Sequence, residues 1–270
     1  MMTSLLLLAA LAATASSGPV RISSETLQSP YDLVRGTVAL PTDAPKAAWF
    51  PESLEYELKW GIFAVGFSDL KAQRVEDLNG RPAYRIVSEA KSNPFCDKFY
   101  KVRDLNESWI DVQDFKSLGY SKKLREGHFF RDEWVLYDYD AKSFLTKMTN
   151  KEGQSSWSSG KIPGPVQDIL SAIYSLRPRA LKVGDEVIVD VNTKQNWPLV
   201  IKVLRKKRIE TPAGKFDTLE VEPFLRDEGL FIQKGKRLQV WLTDDVRHIP
   251  VRMSVEVFFG NITATLIKAR

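Results

Sequence analysis

Most of the chain shows an alternation of apolar and polar residues that is typical of β-strands. In residues 54–60, Leu54, Tyr56, Leu58 and Trp60 alternate with three charged residues. Because successive side chains of a strand point to opposite faces, this segment has one apolar face and one charged face. Runs with a similar pattern follow at residues 84–86, 134–136, 187–191, 199–203, 238–242, 251–257 and 262–266.

Turn residues separate these runs and indicate how the strands connect. Asn79-Gly80 is a strong signal for a two-residue hairpin turn, because both residues tolerate a positive φ. Gly61 and Gly66 flank a short apolar stretch, where we expect a strand to bend or bulge. Many short strands with regular turns predict an all-β, predominantly antiparallel fold. We expect a single curved sheet or a half-open β-barrel with one amphipathic α-helix packed on it.

That helix is predicted from Pro165 to Arg177, where the apolar spacing changes from two to three and four residues. Pro165 suits a first helical turn, Asp168 lies near the positive end of the helix dipole, and Pro178 ends the helix. A helix this short needs packing to be stable. We expect its apolar stripe to face the concave side of the sheet, to plug one end of a half-open barrel and to contact several tryptophans. The stripe comprises Val166, Ile169, Leu170 and Ile173.

The N-terminus has the pattern of a secretory signal peptide. Residues 5–13 form an apolar run that is too short to span a bilayer of about 30 Å. Small residues follow, so we expect cleavage after Ala15 and export to the periplasm or another extracytoplasmic site. Residues 16–50 are interpreted as an extended lead-in and residues 51–270 as a single β-rich domain. No later apolar run is long enough for a transmembrane helix.

Charge and cysteine content narrow the possible functions. The net charge of +5 at pH 7 is modest for 270 residues. It fits simple solubility or attraction to an anionic envelope surface, with peripheral membrane association as one form, and it does not indicate nucleic-acid binding. The single cysteine, Cys96, excludes intramolecular disulfides and cysteine-rich metal sites. We interpret Cys96 as a small buried apolar residue; pairing with another chain is the alternative.

No motif for a cofactor, a metal or a nucleophilic serine is present, so the sequence predicts no catalytic, cofactor-binding or metal site. The most concentrated polar cluster contains Asp244, Asp245 and His248. Two carboxylates near a histidine could perform acid–base chemistry. Adjacent strand residues point to opposite faces, however, and Asp pairs are frequent in turns. We therefore favour a turn between the strands around residues 240 and 251.

Three further features allow both a functional and a structural interpretation. Charged residues flank Phe129-Phe130 and could form a ligand groove or cross-strand ion pairs, and the ion pairs are favoured. The basic run 205–208 could bind phosphate groups but is interpreted as an exposed strand end or edge. Tryptophans in strand-like segments could line a cavity for a lipid or glycan, although filling the core is the more common role. They are Trp60, Trp109, Trp134, Trp157, Trp197 and Trp241.

Several segments together resemble the bacterial domain-of-unknown-function family 3108. They run in order over almost the whole mature chain and lie at residues 56–66 (YELKWGIFAVG), 99–111 (FYKVRDLNESWID), 124–138 (LREGHFFRDEWVLYD), 167–177 (QDILSAIYSLR), 211–223 (TPAGKFDTLEVEP), 240–251 (VWLTDDVRHIPV) and 259–266 (FGNITATL). The resemblance implies an exported bacterial protein of the cell envelope. It implies no established activity, cofactor or site residue.

Three functional hypotheses follow from these observations. The first is a non-enzymatic envelope protein that binds a lipid or glycan within a curved sheet. The second is an envelope-acting hydrolase that uses Asp244, Asp245 and His248. The third is a scaffold that binds another envelope protein through exposed strand edges.

Overall fold

The computed structural model describes residues 22–25, 27–192, 195–225, 237–257 and 259–270. The predicted signal peptide and the cleavage site after Ala15 lie outside these residues. The described residues form one antiparallel sheet of fifteen strands, which is not closed into a barrel. The strands are β1 (Val34–Val38), β2 (Glu52–Trp60), β3 (Phe63–Leu78), β4 (Arg81–Ser92), β5 (Arg103–Asp111), β6 (Ser117–Glu126), β7 (Phe129–Asp138), β8 (Ser143–Thr149), β9 (Ser155–Lys161), β10 (Glu186–Asn192), β11 (Asn196–Thr211), β12 (Gly214–Leu225), β13 (Leu238–Thr243), β14 (Pro250–Glu256) and β15 (Asn261–Ala269). One α-helix, α1 (Ile169–Tyr174), and two short 3-10 helices, Pro30–Leu33 and Cys96–Lys98, accompany them in this part of the chain.

The strand order is almost the order of the sequence. Neighbouring strands run β10 to β15, then β2 to β9, and β1 pairs with β3 beside this path. The last strand joins the two halves, since Leu266 of β15 lies opposite Tyr56 of β2. The chain between the edge strands β9 and β10 also brings these edges near each other: the Asn196 side chain donates to the Lys161 carbonyl over 2.8 Å. The prediction of a curved, half-open antiparallel sheet is thus confirmed.

The residue pattern explains the strand register. In β2, Leu54 and Tyr56 are buried, whereas Glu55 and Glu57 are partly exposed, as the alternation predicted. Asn79 and Gly80 have φ angles of 54° and 86° and join β3 to β4 with Leu78 opposite Arg81. Two positive φ angles define the tight hairpin turn that the Asn-Gly pair predicted.

The bend predicted near Gly66 is a β-bulge. The register between β2 and β3 shifts after Leu58, which lies opposite Gly66, so that Lys59 lies opposite Ala64. A Cβ atom at Gly66 would lie only 2.2 Å from the Lys91 carbonyl oxygen. Glycine is required here because the backbone of β4 approaches too closely for any side chain.

Part of the lead-in before residue 51 packs into the fold. Strand β1 pairs with β3, and the side chains of Leu27 and Leu33 are buried beside Trp109. Trp49 is 1% exposed and lies in the largest apolar cluster, where its ring contacts Tyr84 and Tyr174 edge-on. This segment therefore contributes both a strand and core side chains.

The helix exists and packs on the sheet, but it is shorter than predicted. It spans only Ile169–Tyr174, because the preceding residues run along the edge of β10 instead of coiling. The Gln167 N–H donates to the Asp190 carbonyl over 2.7 Å, and the Gln167 carbonyl accepts from the Asn192 N–H over 2.9 Å. These bonds hold residue 167 in a β-bridge and delay the first helical turn.

The buried face of the helix also differs from the predicted stripe. Of that stripe, Val166 is buried but precedes the helix, and Ile169, Leu170 and Ile173 are only partly buried. The buried side chains are instead Ser171, Ala172 and Tyr174 of the helix, followed by Leu176. Helix residues Leu170 and Tyr174 pack with the apolar cluster that contains Trp49 and Trp241. In the part of the chain that the structure describes, the helix contacts a tryptophan ring through Tyr174 and Trp49, 4.7 Å apart.

Candidate functional site

The candidate site is an apolar groove between helix α1 and the C-terminal half of the sheet. Its volume is about 100 Å³, and every described residue that lines it has an aliphatic side chain. The helix supplies one wall, and strands β10 to β13 supply the other. The lining residues are Ile169, Ala172, Ile173, Leu176, Val191, Leu199, Ile201, Val221, Pro223, Leu238, Val240 and Leu242.

The alternation of β13 shows why the lining of the groove is apolar. Val240 and Leu242 point to the groove, whereas Trp241, between them, packs on the opposite face with Glu220. Each lining strand thus contributes one aliphatic row to the concave side. Because those rows offer no hydrogen-bonding group, a ligand here would be recognised through hydrocarbon contact.

Asp168 fixes the N-terminus of the helix. Its Oδ1 accepts hydrogen bonds from the backbone N–H groups of Leu170 and Ser171, at 2.8 and 3.0 Å. Its Oδ2 accepts from the hydroxyls of Ser108 and Ser117, at 2.7 and 2.5 Å, on strands β5 and β6. Asp168 is therefore an N-cap that also attaches the helix to the sheet. Burial raises the pKa of its carboxyl group, and the four donated hydrogen bonds oppose that rise.

Arg177, in the turn that follows the helix, fixes the C-terminal end of the helix. Its guanidinium group and the carboxylate of Glu52, on β2, form an ion pair in which both side chains are fully buried. Tyr174 donates its hydroxyl to the same carboxylate over 2.8 Å. Burial and the charge of Glu52 raise the pKa of the Tyr174 hydroxyl well above its ordinary value, so this hydroxyl remains a donor. With both ends bonded to the sheet, the helix is a fixed wall and the groove is preformed.

The cluster of Asp244, Asp245 and His248 forms the predicted turn between β13 and β14. Asp245 Oδ1 accepts from the Thr243 hydroxyl and from the N–H groups of Arg247 and His248, all within 3.2 Å. Asp244 pairs with Lys206 on β11 at 2.5 Å. These bonds are typical of an Asp-stabilised turn.

This turn also supports the end of the helix. The Nδ1 of His248 lies 2.9 Å from the Arg177 carbonyl oxygen, which makes it the protonated ring nitrogen. The Arg247 carbonyl accepts from Arg177 Nε over 3.0 Å. The structure thus brings His248 and Asp245 together through the turn backbone, and the histidine ring faces a carbonyl group.

The tryptophans mostly fill the core. Trp109, Trp134 and Trp241 are buried, whereas Trp60 and Trp157 are exposed, and Trp197 lies between these extremes. None of the six predicted candidates lies among the described residues that line the groove. Sequence reasoning overlooked Trp49, which precedes the first alternating run and therefore carries no periodic signal.

The charged segments occupy strand surfaces. Arg125 pairs with Asp132 across β6 and β7 at 2.7 Å, in agreement with the favoured cross-strand interpretation. The basic run 205–208 lies on β11 beyond Lys202, where β10 has ended, so this part of β11 is a sheet edge. Arg205 there pairs with Glu220 at 2.9 Å.

The prediction that Cys96 is buried is wrong. Cys96 is partly exposed in the 3-10 helix of the β4–β5 connection, because Asn93 Oδ1 accepts from the Cys96 N–H over 2.8 Å and holds this turn at the end of the sheet. In the described part of the chain, no group of three or more His, Cys, Asp or Glu residues is placed to hold a metal ion. Among the same residues, no helix has the length and apolarity needed to cross a membrane.

The protein is thus an open, curved antiparallel sheet with an aliphatic groove between the sheet and a fixed helix. The sequence model of DUF3108, a protein family of unknown function, matches residues 55–267. The chain belongs to this family. A comparison with curated proteins gives no significant match.

Comparison with one solved structure shows the same type of fold. The crystal structure of a β-barrel-like protein of domain of unknown function DUF1849 from Brucella abortus aligns with a TM-score of 0.55 and 11% identity, over 82% of this chain and 97% of that one. A Bacteroides fragilis protein inferred to be exported, with a YmcC-like fold, aligns with a TM-score of 0.35 and 7% identity, over 82% and 95% of the two chains. At these identities the first likeness concerns the fold alone.

Proposed function

We propose that the protein is a non-enzymatic lipid-binding protein of the cell envelope, whose groove under helix α1 holds a hydrocarbon segment of its ligand. The observation that supports this most directly is the purely aliphatic lining of the groove. Binding sites for small molecules usually combine apolar walls with a few polar groups that orient the ligand. A lining without such groups suits an acyl chain, which needs no orienting hydrogen bond.

The same lining favours a lipid over a glycan. A sugar presents several hydroxyl groups, and each would lose its hydrogen bonds to water without gaining a partner in this groove. Proteins bind sugars with aromatic platforms and polar side chains, whereas the wall of β13 offers Leu238, Val240 and Leu242. The lipid part of the original lipid-or-glycan hypothesis therefore has the stronger support.

The size of the groove limits what it holds. A volume of about 100 Å³ is on the scale of the dry cavity of about 150 Å³ that accommodates a benzene-sized molecule. The groove therefore fits a segment of one acyl chain and not a whole lipid. The partly exposed Ile169 and Ile173 form the lip of the groove, along which the rest of the acyl chain would lie.

Export is the second part of the proposal. The apolar run and small residues of positions 1–15 support a cleaved signal peptide. The lead-in and the β-rich domain follow it, and Val34–Val38 and Trp49 of the lead-in belong to the sheet and the core of that domain. Recovery of mature protein that begins after Ala15 from an extracytoplasmic fraction would support this part, and recovery with Met1 would contradict it.

The groove is tested with a dansyl-labelled fatty acid and a variant that fills it. Ala172 lines the groove and is 6% exposed, so Ala172→Phe places a ring in the ligand's volume. We expect the wild-type chain to enhance the dansyl fluorescence and Ala172→Phe to weaken binding at least about tenfold. Ile188→Phe is the matched control, because Ile188 belongs to β10 but is 58% exposed to solvent.

Two results would contradict the proposal. Equal binding by Ala172→Phe and the wild type, with both folded by circular dichroism, would place the ligand elsewhere. Native mass spectrometry of protein purified from its native envelope is the second readout. Protein that is always empty there, and that takes up no labelled fatty acid, would exclude the lipid-binding function.

A further inference from the structure

One end of the sheet exposes a row of large apolar side chains. Ile62 and Phe63, at the turn between β2 and β3, are 85% and 68% exposed. Phe95 and Phe99 follow in the β4–β5 connection, where Phe99 is 77% exposed, and Phe129 follows at the start of β7. A folded protein rarely keeps such a row in contact with water unless the row has a binding role.

These residues form one continuous surface because their connections are bonded to each other. The Asn93 side chain donates to the Ala64 carbonyl over 2.7 Å, which attaches the β4–β5 connection to β3. The Gly127 N–H donates to the Lys101 carbonyl over 2.8 Å, which attaches the β6–β7 turn to the same connection. We call this surface the aromatic rim; its members are Trp60, Ile62, Phe63, Phe95, Phe99, Tyr100 and Phe129.

The rim is held in a defined shape. Asp97 and Arg103 form an ion pair at 2.6 Å across the β4–β5 connection, and hydrogen bonds from Arg103 and Ser92 hold the pKa of Asp97 at about 2. The rings of Phe95 and Phe99 contact each other edge-on at 5.6 Å. The apolar side chains are thus presented by an ordered loop.

Basic side chains border the rim. Between residues 91 and 104 the chain has four basic residues and two acidic ones, Asp97 and Asp104, and Asp97 is paired with Arg103. This connection keeps a positive balance, and the carboxylates of Asp104 and Glu126 lie near Tyr100 at its edge. Lys91, Lys98 and Lys101 are all exposed, and Lys98 and Lys101 flank Phe99 and Tyr100 in the sequence. Aromatic rings with nearby lysines match the boundary of a bilayer, where rings lie among headgroups and lysines attract anionic lipids.

We propose that the aromatic rim is the surface by which the protein docks on the headgroup region of a bilayer that contains anionic lipid. The side chains of Ile62, Phe63 and Phe99 enter the boundary between headgroups and acyl chains, and the lysines of the β4–β5 connection pair with lipid phosphates. This inference is separate from the groove, since its residues belong to strands β2 to β7 and their connections.

The fold nevertheless places the rim and the groove at the same end of the sheet. Leu238 of the groove lies opposite Val255, Val255 opposite Ile262, and Ile262 opposite Trp60 of the rim. Three strand spacings of about 4.8 Å separate the two, roughly 15 Å along the sheet. A protein docked by its rim would thus hold this end of the groove close to the membrane.

The test is co-sedimentation of the mature chain with vesicles of phosphatidylcholine, with and without phosphatidylglycerol. We expect binding to vesicles with phosphatidylglycerol that weakens as salt rises. The double variant Ile62→Ser/Phe63→Ser should lose at least about tenfold in binding, because two exposed apolar side chains no longer enter the bilayer. Lys98→Glu/Lys101→Glu should lower binding to anionic vesicles and reduce the salt dependence.

The matched control is Val246→Ser, since Val246 is 77% exposed on the β13–β14 turn at the opposite end of the sheet. It should bind vesicles as the wild type does. Lipids with brominated acyl chains give an independent readout, because they should quench Trp60 and this quenching should disappear in Trp60→Phe. Vesicle binding that none of the rim variants changes, or no vesicle binding at all, would overturn the proposal.

Discussion

Arg177 and Glu52 form an ion pair in which neither side chain is exposed to solvent, with Arg177 Nη2 2.7 Å from Glu52 Oε2. The pair joins the turn that follows helix α1 to the first residue of β2. Tyr174 donates to the same carboxylate, and the guanidinium group lies 5.6 Å from the centre of the Trp49 ring. The buried charges are therefore fully partnered, which is the condition under which such a pair is tolerated in a core.

We expect Glu52→Gln to destabilise the fold strongly. The substitution keeps the shape of the side chain but leaves the buried charge of Arg177 without a counter-charge, at a cost of about 3–5 kcal/mol in the free energy of unfolding. Chemical denaturation measures this cost. The control is Glu186→Gln, which removes an exposed pair with Lys202 and should change stability by less than about 1 kcal/mol. Equal effects of the two variants would contradict the assigned role.

The second prediction concerns Asp168, for which substitutions by Asn and by Ala should have different effects on stability. Asp168→Asn keeps an oxygen for the N–H groups of Leu170 and Ser171, and its amide group can donate to Ser108 and Ser117, whose hydroxyls can rotate to accept. Stability at pH 7 should then stay within about 1 kcal/mol of the wild type. Asp168→Ala removes the cap and leaves buried donors unpaired, which should cost about 2–4 kcal/mol.

The raised pKa of Asp168 fixes the sign of a pH effect. The folded chain keeps the proton of the Asp168 carboxyl group at pH values where the unfolded chain has released it. The contribution of the group to stability is therefore complete below pH about 4 and declines as pH rises through the folded pKa. The difference in unfolding free energy between wild type and Asp168→Asn should shift in favour of the variant over that range. A difference independent of pH would contradict the shift.

The sequence predicted the sheet well because one physical signal controls it. Alternation places Leu54 and Tyr56 on the buried face, and Asn79-Gly80 closes a hairpin by local backbone preference. Strands such as β9, with the sequence SSWSSGK, lack that signal because serines occupy both faces. Their pairing is decided by the neighbouring strand.

The site was only partly predictable, for a different reason. Helical spacing located the helix, but its ends depend on partners distant in sequence: Ser108 and Ser117 for Asp168, and Glu52 for Arg177. The bridge of Gln167 to Val191 also shortens the helix through a contact that no local pattern reveals. The groove arises between strands β10 to β13 and the helix, so its lining appears only after the sheet has curved.

The corrected burial of the helix changes what Ile173 should contribute. Ile173 is a partly exposed residue on the lip of the groove. Its replacement by Ala should lower the free energy of unfolding by only about 1–2 kcal/mol, because water already reaches part of its surface. Leu242→Ala is the comparison, since Leu242 lines the same groove with 0% exposure and should cost about 2–5 kcal/mol. Urea titrations of both variants provide the measurement. An Ile173→Ala cost above that of Leu242→Ala would show that the helix is buried as the original stripe predicted.

Substitutions of Asp245 can distinguish a structural role of this residue from a catalytic role. Its Oδ1 accepts from the Thr243 hydroxyl and from the N–H groups of Arg247 and His248. Asp245→Asn retains an acceptor oxygen at that position and should leave the free energy of unfolding nearly unchanged, whereas Asp245→Ala should lower it by about 1 kcal/mol or more. Asp244→Asn, which loses only the ion pair with Lys206, should cost less than about 1 kcal/mol.

The double variant Asp244→Asn/Asp245→Asn should also complement a deletion strain as well as the wild type, because a turn needs acceptor oxygens and not carboxylate chemistry. A folded double variant that fails to complement would favour the hydrolase hypothesis over the turn.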